Sequence, residues 1–198
     1  MVSKILLIVM SAIFFVGCQA AKYNIPSMQT EDKIINNDQV AYAIFTTEEL
    51  GAGRGDPIFE YFPDTQTFKL VAIMTSHEKY IYPISEGTHY FYSMGGETYD
   101  FVKVEAKKAK KYYINIVTVF WTWRMTTPIE FEPVTDKDDA KDFDRNLLIQ
   151  NNQKTLEWFN ARKDNPDFKA KVKERFEDWK EDDMEDKTLF VKDGFDIK

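Results

Sequence analysis

Lys79-Tyr80-Ile81-Tyr82-Pro83-Ile84, then Ser85-Glu86-Gly87-Thr88, then His89-Tyr90-Phe91-Tyr92-Ser93-Met94 is the stretch that decides the fold class. Two short runs of β-branched and aromatic residues flank four turn-forming ones, as strands do around a tight connection. The same rhythm holds along much of the chain. Strands are expected at residues 40–45, 57–62, 68–74, 79–84, 89–94, 98–106, 112–125 and 129–134. Pro63-Asp64-Thr65-Gln66 and Gly95-Gly96-Glu97 supply further turns. Closely spaced short strands of this kind predict an antiparallel β-sandwich over residues 40–134. The run 112–125 carries Asn115 and Arg124 and is too short for a membrane helix, so it reads as a long central strand.

Beyond Thr135 the period changes to that of a helix, giving an α+β chain whose residues 135–198 form a helical C-terminal segment. Ala140, Phe143 and Leu147 share one helical face, and Leu156 and Phe159 begin a second after Asn151-Asn152. The third helix is the best marked. Asn165 suits the N-cap, Pro166 the first helical position and Asp167 the positive end of the dipole. Phe168, Val172, Phe176 and Trp179 then fall within an arc of about 80°. That stripe is expected to pack on the protein's own sheet, with docking on a partner protein as the alternative. The acidic run 181–186 closes the helix, and residues 188–191 can return as a short strand.

At the other end, Lys4 precedes an apolar run over residues 5–16, followed by Gly17 and Cys18. Those twelve residues would span roughly 18 Å as a helix, short of the roughly 30 Å of a bilayer core. The pattern is a secretory signal peptide, expected over residues 1–17. Cys18 is the only cysteine, which excludes an internal disulfide. Residues 18–39 are polar and aperiodic, and a flexible tether is expected there.

Lys and Arg number 26 against 33 Asp and Glu, a net charge of −7, and loss of Lys4 with the signal makes the balance more negative. No nucleic-acid partner is expected from such a chain. The aromatic content of 15% is enough for a substantial core.

Two resemblances add to this reading. Phe15-Val16-Gly17-Cys18 resembles the lipobox of bacterial lipoproteins, in which the cysteine is lipidated and becomes the new N-terminus. The resemblance implies lipid attachment at Cys18, a place in the cell envelope and, with Gln19 after the cysteine, the outer membrane rather than the inner. Tyr80-Ile81-Tyr82-Pro83-Ile84, the turn Glu86-Gly87-Thr88-His89, and Lys110-Lys111-Tyr112-Tyr113-Ile114 resemble a pattern in uncharacterised envelope lipoproteins with transthyretin-like, Ig-like sandwiches. Glu86 stands where that pattern has proline, and Ala109-Lys110-Lys111 lacks its glycine. The pattern implies a fold and an envelope location, with no activity attached.

Candidate chemistry is sparse. If 85–88 closes a hairpin pairing Ile84 with His89, then His77 lies roughly 23 Å from His89 and the two share no metal. His77-Glu78 could bind a metal or act as a base; an exposed turn histidine is the plainer reading. The aspartates of 136–144 suggest calcium, yet a register starting at Asp142 places Leu147 at the obligatory glycine and Gln153 at the bidentate glutamate. A solvated helix start explains them better. Gly51-Ala52-Gly53-Arg54-Gly55-Asp56 precedes a strand rather than the helix a phosphate cradle needs, and its Arg-Gly-Asp triplet arises by chance in about four per cent of such chains.

The expectation is therefore a non-catalytic, membrane-anchored lipoprotein without cofactor or metal, working through an envelope protein partner. A hydrolase of envelope polymers using carboxylates such as Glu60, Asp64 or Asp100 is one alternative. The other is a lipid or glycan carrier with a groove lined by Tyr80, Tyr82, Tyr90, Tyr92, Trp121 and Trp123.

Overall fold

The computed structural model describes residues 23–48, 55–95, 98–118 and 129–197. The expected signal peptide, Cys18, Trp121, Trp123 and residues 119–125 of the expected long strand lie outside them.

The architecture is mixed α+β, with two sheets packed face to face and helices on both outer faces. In chain order the elements are β1 (Asn24–Pro26), α1 (Glu31–Ile34), β2 (Ala41–Thr47), β3 (Asp56–Phe62), β4 (Thr67–Met74), β5 (Glu78–Ile84), β6 (Gly87–Gly95), β7 (Thr98–Ala106), β8 (Lys110–Thr118) and β9 (Ile129–Val134). There follow α2 (Lys137–Asp142), a 3-10 turn, β10 (Leu147–Asn151), α3 (Gln153–Asn160), α4 (Pro166–Asp182), β11 (Thr188–Leu189), a second 3-10 turn and β12 (Phe195–Asp196). Sheet one runs β1-β10-β5-β2-β8-β12, with β9 also on β8; sheet two runs β11-β7-β6-β3-β4.

Side-chain alternation along each strand builds the layers. In β2, Ala41, Ala43 and Phe45 enter the core between the sheets, while Tyr42 and Ile44 enter the layer beneath α1 and α2. Every residue of β2 is buried, as a strand covered on both faces must be. In sheet two, Ile58, Phe91, Val102 and Val104 face the inter-sheet core; Phe59, Tyr61, Tyr92 and Phe101 face α4. A register shift opposite Ile58 and Phe59 leaves Val71 unpaired in the ladder, so Val71 and Ala72 both turn into the core.

Several expectations change. The sandwich is not purely antiparallel: β2 pairs β8 in parallel, as β10 does β5 and β11 does β7. None of these pairs is joined by a tight turn, so nothing forces the antiparallel sense. Residues 85–88 do not close a hairpin. Ile84 pairs with Ala41 in sheet one and His89 with Val104 in sheet two, so the connection is a crossover between sheets. The tether reading of 18–39 fails from Tyr23 onward. Asn24 is buried with its amide donating to the Ile73 carbonyl, Thr155 bonds the Tyr23 carbonyl, and Ile35 packs under sheet one. Polar side chains satisfying buried backbone groups, rather than apolar periodicity, hold this segment.

The expected helix through Ala140, Phe143 and Leu147 stops at Asp142. Leu147 begins a strand and is 51% exposed, since β10 finds an open edge beside β5. Helices therefore do not simply follow the sandwich; strands β10, β11 and β12 return to it. At the last return, a Cβ on Gly194 would come within 2.8 Å of the Tyr112 ring, which explains a glycine where backbone crosses an aromatic face.

The helix at the N-cap Asn165 forms as read. Asn165 accepts from the Asp167 and Phe168 amides, and Pro166 opens α4. Val172, Phe176 and Trp179 are buried on the outer face of sheet two, with Phe168 partly buried beside them. Phe176 meets Tyr61 at 5.0 Å, Tyr90 at 5.1 Å and Phe101 at 5.6 Å between ring centroids.

Candidate functional site

Two concavities flank sheet two. The polar one, about 410 Å³, is bounded by Glu60 and Tyr61 of β3, the 62–65 turn, and Thr88, His89 and Tyr90 of β6. Glu60 follows Ile58 on the inward face of β3, so its carboxylate sits at the margin of the core and is 5% exposed. Three partners compensate the burial. The Tyr82 hydroxyl donates to Oε2 at 2.8 Å, His89 Nδ1 lies 2.6 Å from Oε1, and Lys69 sits 5.1 Å above the Tyr82 ring. Burial pushes the Glu60 carboxyl up, but the His89 and Tyr82 hydrogen bonds and the His89 and Lys69 charges outweigh it and hold it below its ordinary value. The Tyr82 hydroxyl is driven upward, first by burial and then by the Glu60 charge.

His89 continues toward the crossover. Its Nε2 lies 3.0 Å from the Ser85 carbonyl and 3.4 Å from Ser85 Oγ. Carboxylate, imidazole and serine stand in the order of a hydrolytic triad, but Nε2 is nearer the serine's own carbonyl than its hydroxyl, whose 3.4 Å is longer than the roughly 2.6–3.2 Å of a tightly held nucleophile. A carbonyl only accepts, so a ring protonated at both nitrogens would bridge Glu60 and Ser85 and fasten the crossover to sheet two.

The other carboxylates go elsewhere. Asp64 sits exposed in the turn at the rim of the same concavity. Asp100 accepts from the Phe131 amide at 2.5 Å and from Lys187 Nζ at 3.2 Å, tying β7 to β9 and to the segment after α4. Burial raises the Asp100 carboxyl despite the Lys187 charge and the Phe131 amide. His77 is exposed on a turn at φ 59°, and the Glu78 carboxylate beside it accepts from the Thr75 amide at 2.6 Å. Asp136 caps α2 by accepting from the Asp138 amide. Among the described residues no group of three His, Cys, Asp or Glu side chains is placed to hold a metal ion.

The second concavity is apolar. Where α3 turns into α4, Trp158, Phe159 and Phe168 stand over Phe59, Phe68 and Met94 of sheet two and leave a half-open notch of about 240 Å³. Arg162 and Asn165 line it too. The walls offer ring faces and edges: Phe59 lies at 63° to Phe168 and 27° to Trp158. Among the described residues the four tyrosines of the expected aromatic groove do not come together. Tyr80 and Tyr82 belong with the inter-sheet core, while Tyr90 and Tyr92 lie on the opposite face of sheet two beneath α4. The notch instead joins residues of β3, β4, β6, α3, α4 and the connection between the two helices, and in the sequence only the separate helical patterns carrying Phe159 and Phe168 hinted at it.

Comparison of the chain with protein-family models, with curated proteins and with solved structures finds no match. Among the described residues no helix is long and apolar enough to cross a membrane.

Proposed function

We propose that this protein is a non-catalytic envelope lipoprotein, held at a membrane by a lipid on Cys18, whose sandwich-and-helix domain is an interaction module. The proposal includes kinship with the envelope lipoproteins of transthyretin-like sandwich fold. The observation that carries it is the contrast between the two concavities. In the polar one the acid and base groups are engaged with each other, whereas in the apolar one six large apolar side chains surround unfilled space open to the outside.

Size favours recognition over carriage. A cavity of about 150 Å³ holds a benzene, and sites that enclose a whole drug-sized ligand start near 300 Å³. At about 240 Å³ the notch suits one or two fused rings, with the rest of the bound molecule outside. A side chain of a partner protein fits that description; a lipid or glycan chain does not. The anchor would also keep the module near the membrane. From Cys18 to Asn24 the chain spans six residues, so β1 lies within roughly 22 Å of the lipidated residue.

The test is photo-crosslinking in cells from an unnatural amino acid at Lys163, exposed next to the notch residue Arg162, compared with Lys173 on the exposed face of α4. A discrete adduct from position 163 and none from 173 is expected. Equal or absent adducts at both would reject the module.

A further inference from the structure

We infer that the notch recognises an aromatic side chain with a carboxylate beside it in a partner protein, the ring entering against Phe59, Trp158 and Phe168 and the carboxylate meeting Arg162. This rests on the notch being the recognition site and adds what it selects. The Arg162 guanidinium lies 4.7 Å from the centroid of the Trp158 ring, and its Nη1 donates to the Trp158 carbonyl at 3.0 Å. Five N–H donors sit on a guanidinium in a planar fork. The ring contact and the one hydrogen bond to the carbonyl leave the remaining donors of the guanidinium for a ligand.

Although acidic residues outnumber basic ones by 33 to 26, Arg162 forms no ion pair among the described residues, and the nearby Asp164 is paired with Lys169 at 3.6 Å. A positive fork is thus held at an apolar notch without an anion of the protein's own. Asn165 reinforces the preference. Its Oδ1 is committed to the Asp167 and Phe168 amides at 2.9 and 3.1 Å, leaving its amide nitrogen, a donor, for a ligand. Donors beside aromatic walls select an aromatic group with an adjoining anion over a neutral one.

The probes are two blocked tetrapeptides, acetyl-Gly-Phe-Glu-Gly-amide and its Gln counterpart, with N-acetyl-phenylalanine as a small acid. Each is titrated by calorimetry into the full chain in detergent. The Glu peptide should bind about tenfold or more tightly than the Gln peptide, and the exposed substitution Arg162→Gln should bring the two together. Equal affinity of both peptides for the native chain would overturn the anion preference while leaving the notch as a ring site. Preference for Glu that survives Arg162→Gln would overturn the role of Arg162. N-acetyl-phenylalanine binding as tightly as the Glu peptide would overturn the assignment to a partner protein. No binding by any probe would overturn the notch reading along with the inference.

Discussion

Replacing Phe176 by alanine probes how α4 is held. Its side chain is 2% exposed and meets Tyr61, Tyr90, Phe101 and Trp179 at centroid distances of 5.0 to 5.8 Å. Truncating a phenylalanine in such a site costs about 3–5 kcal/mol, because the lost transfer energy is joined by a cavity that its ring neighbours cannot close. The aromatic pairings, about 0.5–1.5 kcal/mol each in isolation, overlap with that cost and are not added to it. For a domain of this size each kcal/mol moves the melting temperature by roughly 2–4 °C, so the fall should be roughly 6–20 °C. The assay is a thermal melt by circular dichroism on unlipidated protein, with Lys173→Ala on the exposed face of the same helix as control. An unshifted melt for Phe176→Ala, matching that control, would show that α4 contributes nothing to the fold and would refute the packing argument.

Two further expectations concern buried carboxyl groups shifted in opposite directions. Glu60 is held below its ordinary value, so its stabilisation is present above the unfolded value near 4.5 and lost as pH falls through the folded one. Glu60→Gln should therefore cost about 1–3 kcal/mol at pH 7, with the gap to the native chain closing in melts below about pH 4. Asp100 is raised, so its neutral form favours the fold below the unfolded value of 3.8 and that advantage is lost as pH rises through the folded one. Removing its cation with Lys187→Met should cost about 3–5 kcal/mol near neutrality, where a buried carboxylate is left unpaired; chemical denaturation at pH 7 and pH 3.5 should show a smaller loss in acid.

How much of this was legible in the sequence follows from the physics of each element. Strands β3 to β9 stand out because β-branched and aromatic residues alternate between turn residues, and the structure places β3 to β7 and β9 within a few residues of expectation, while the part of the expected 112–125 strand beyond Thr118 lies outside the described residues. The helix after Asn165 is equally plain, since cap, proline and stripe all agree. Pairing partners were not legible. The turn at 85–88 has the composition of a hairpin but carries the chain from one sheet to the other, a choice made by distant strands β2 and β7. Residues 24–35 carry no periodicity because buried asparagine and threonine contacts do the holding. The Glu60–His89–Tyr82 cluster unites residues up to 29 positions apart. The notch needs Phe59, Met94 and Trp158 to meet, which no local pattern announces.

The claim that bears most weight is that a lipid on Cys18 holds this module at a membrane. Cell fractionation without detergent, comparing the native chain with Cys18→Ser, measures it directly. The serine variant should leave the membrane fraction for the soluble one or fail to localise, while the native chain stays membrane-bound and carries an acyl-modified N-terminal cysteine by intact mass. Retention of the serine variant at the native level would contradict the anchor and mean that a protein contact keeps the domain in place.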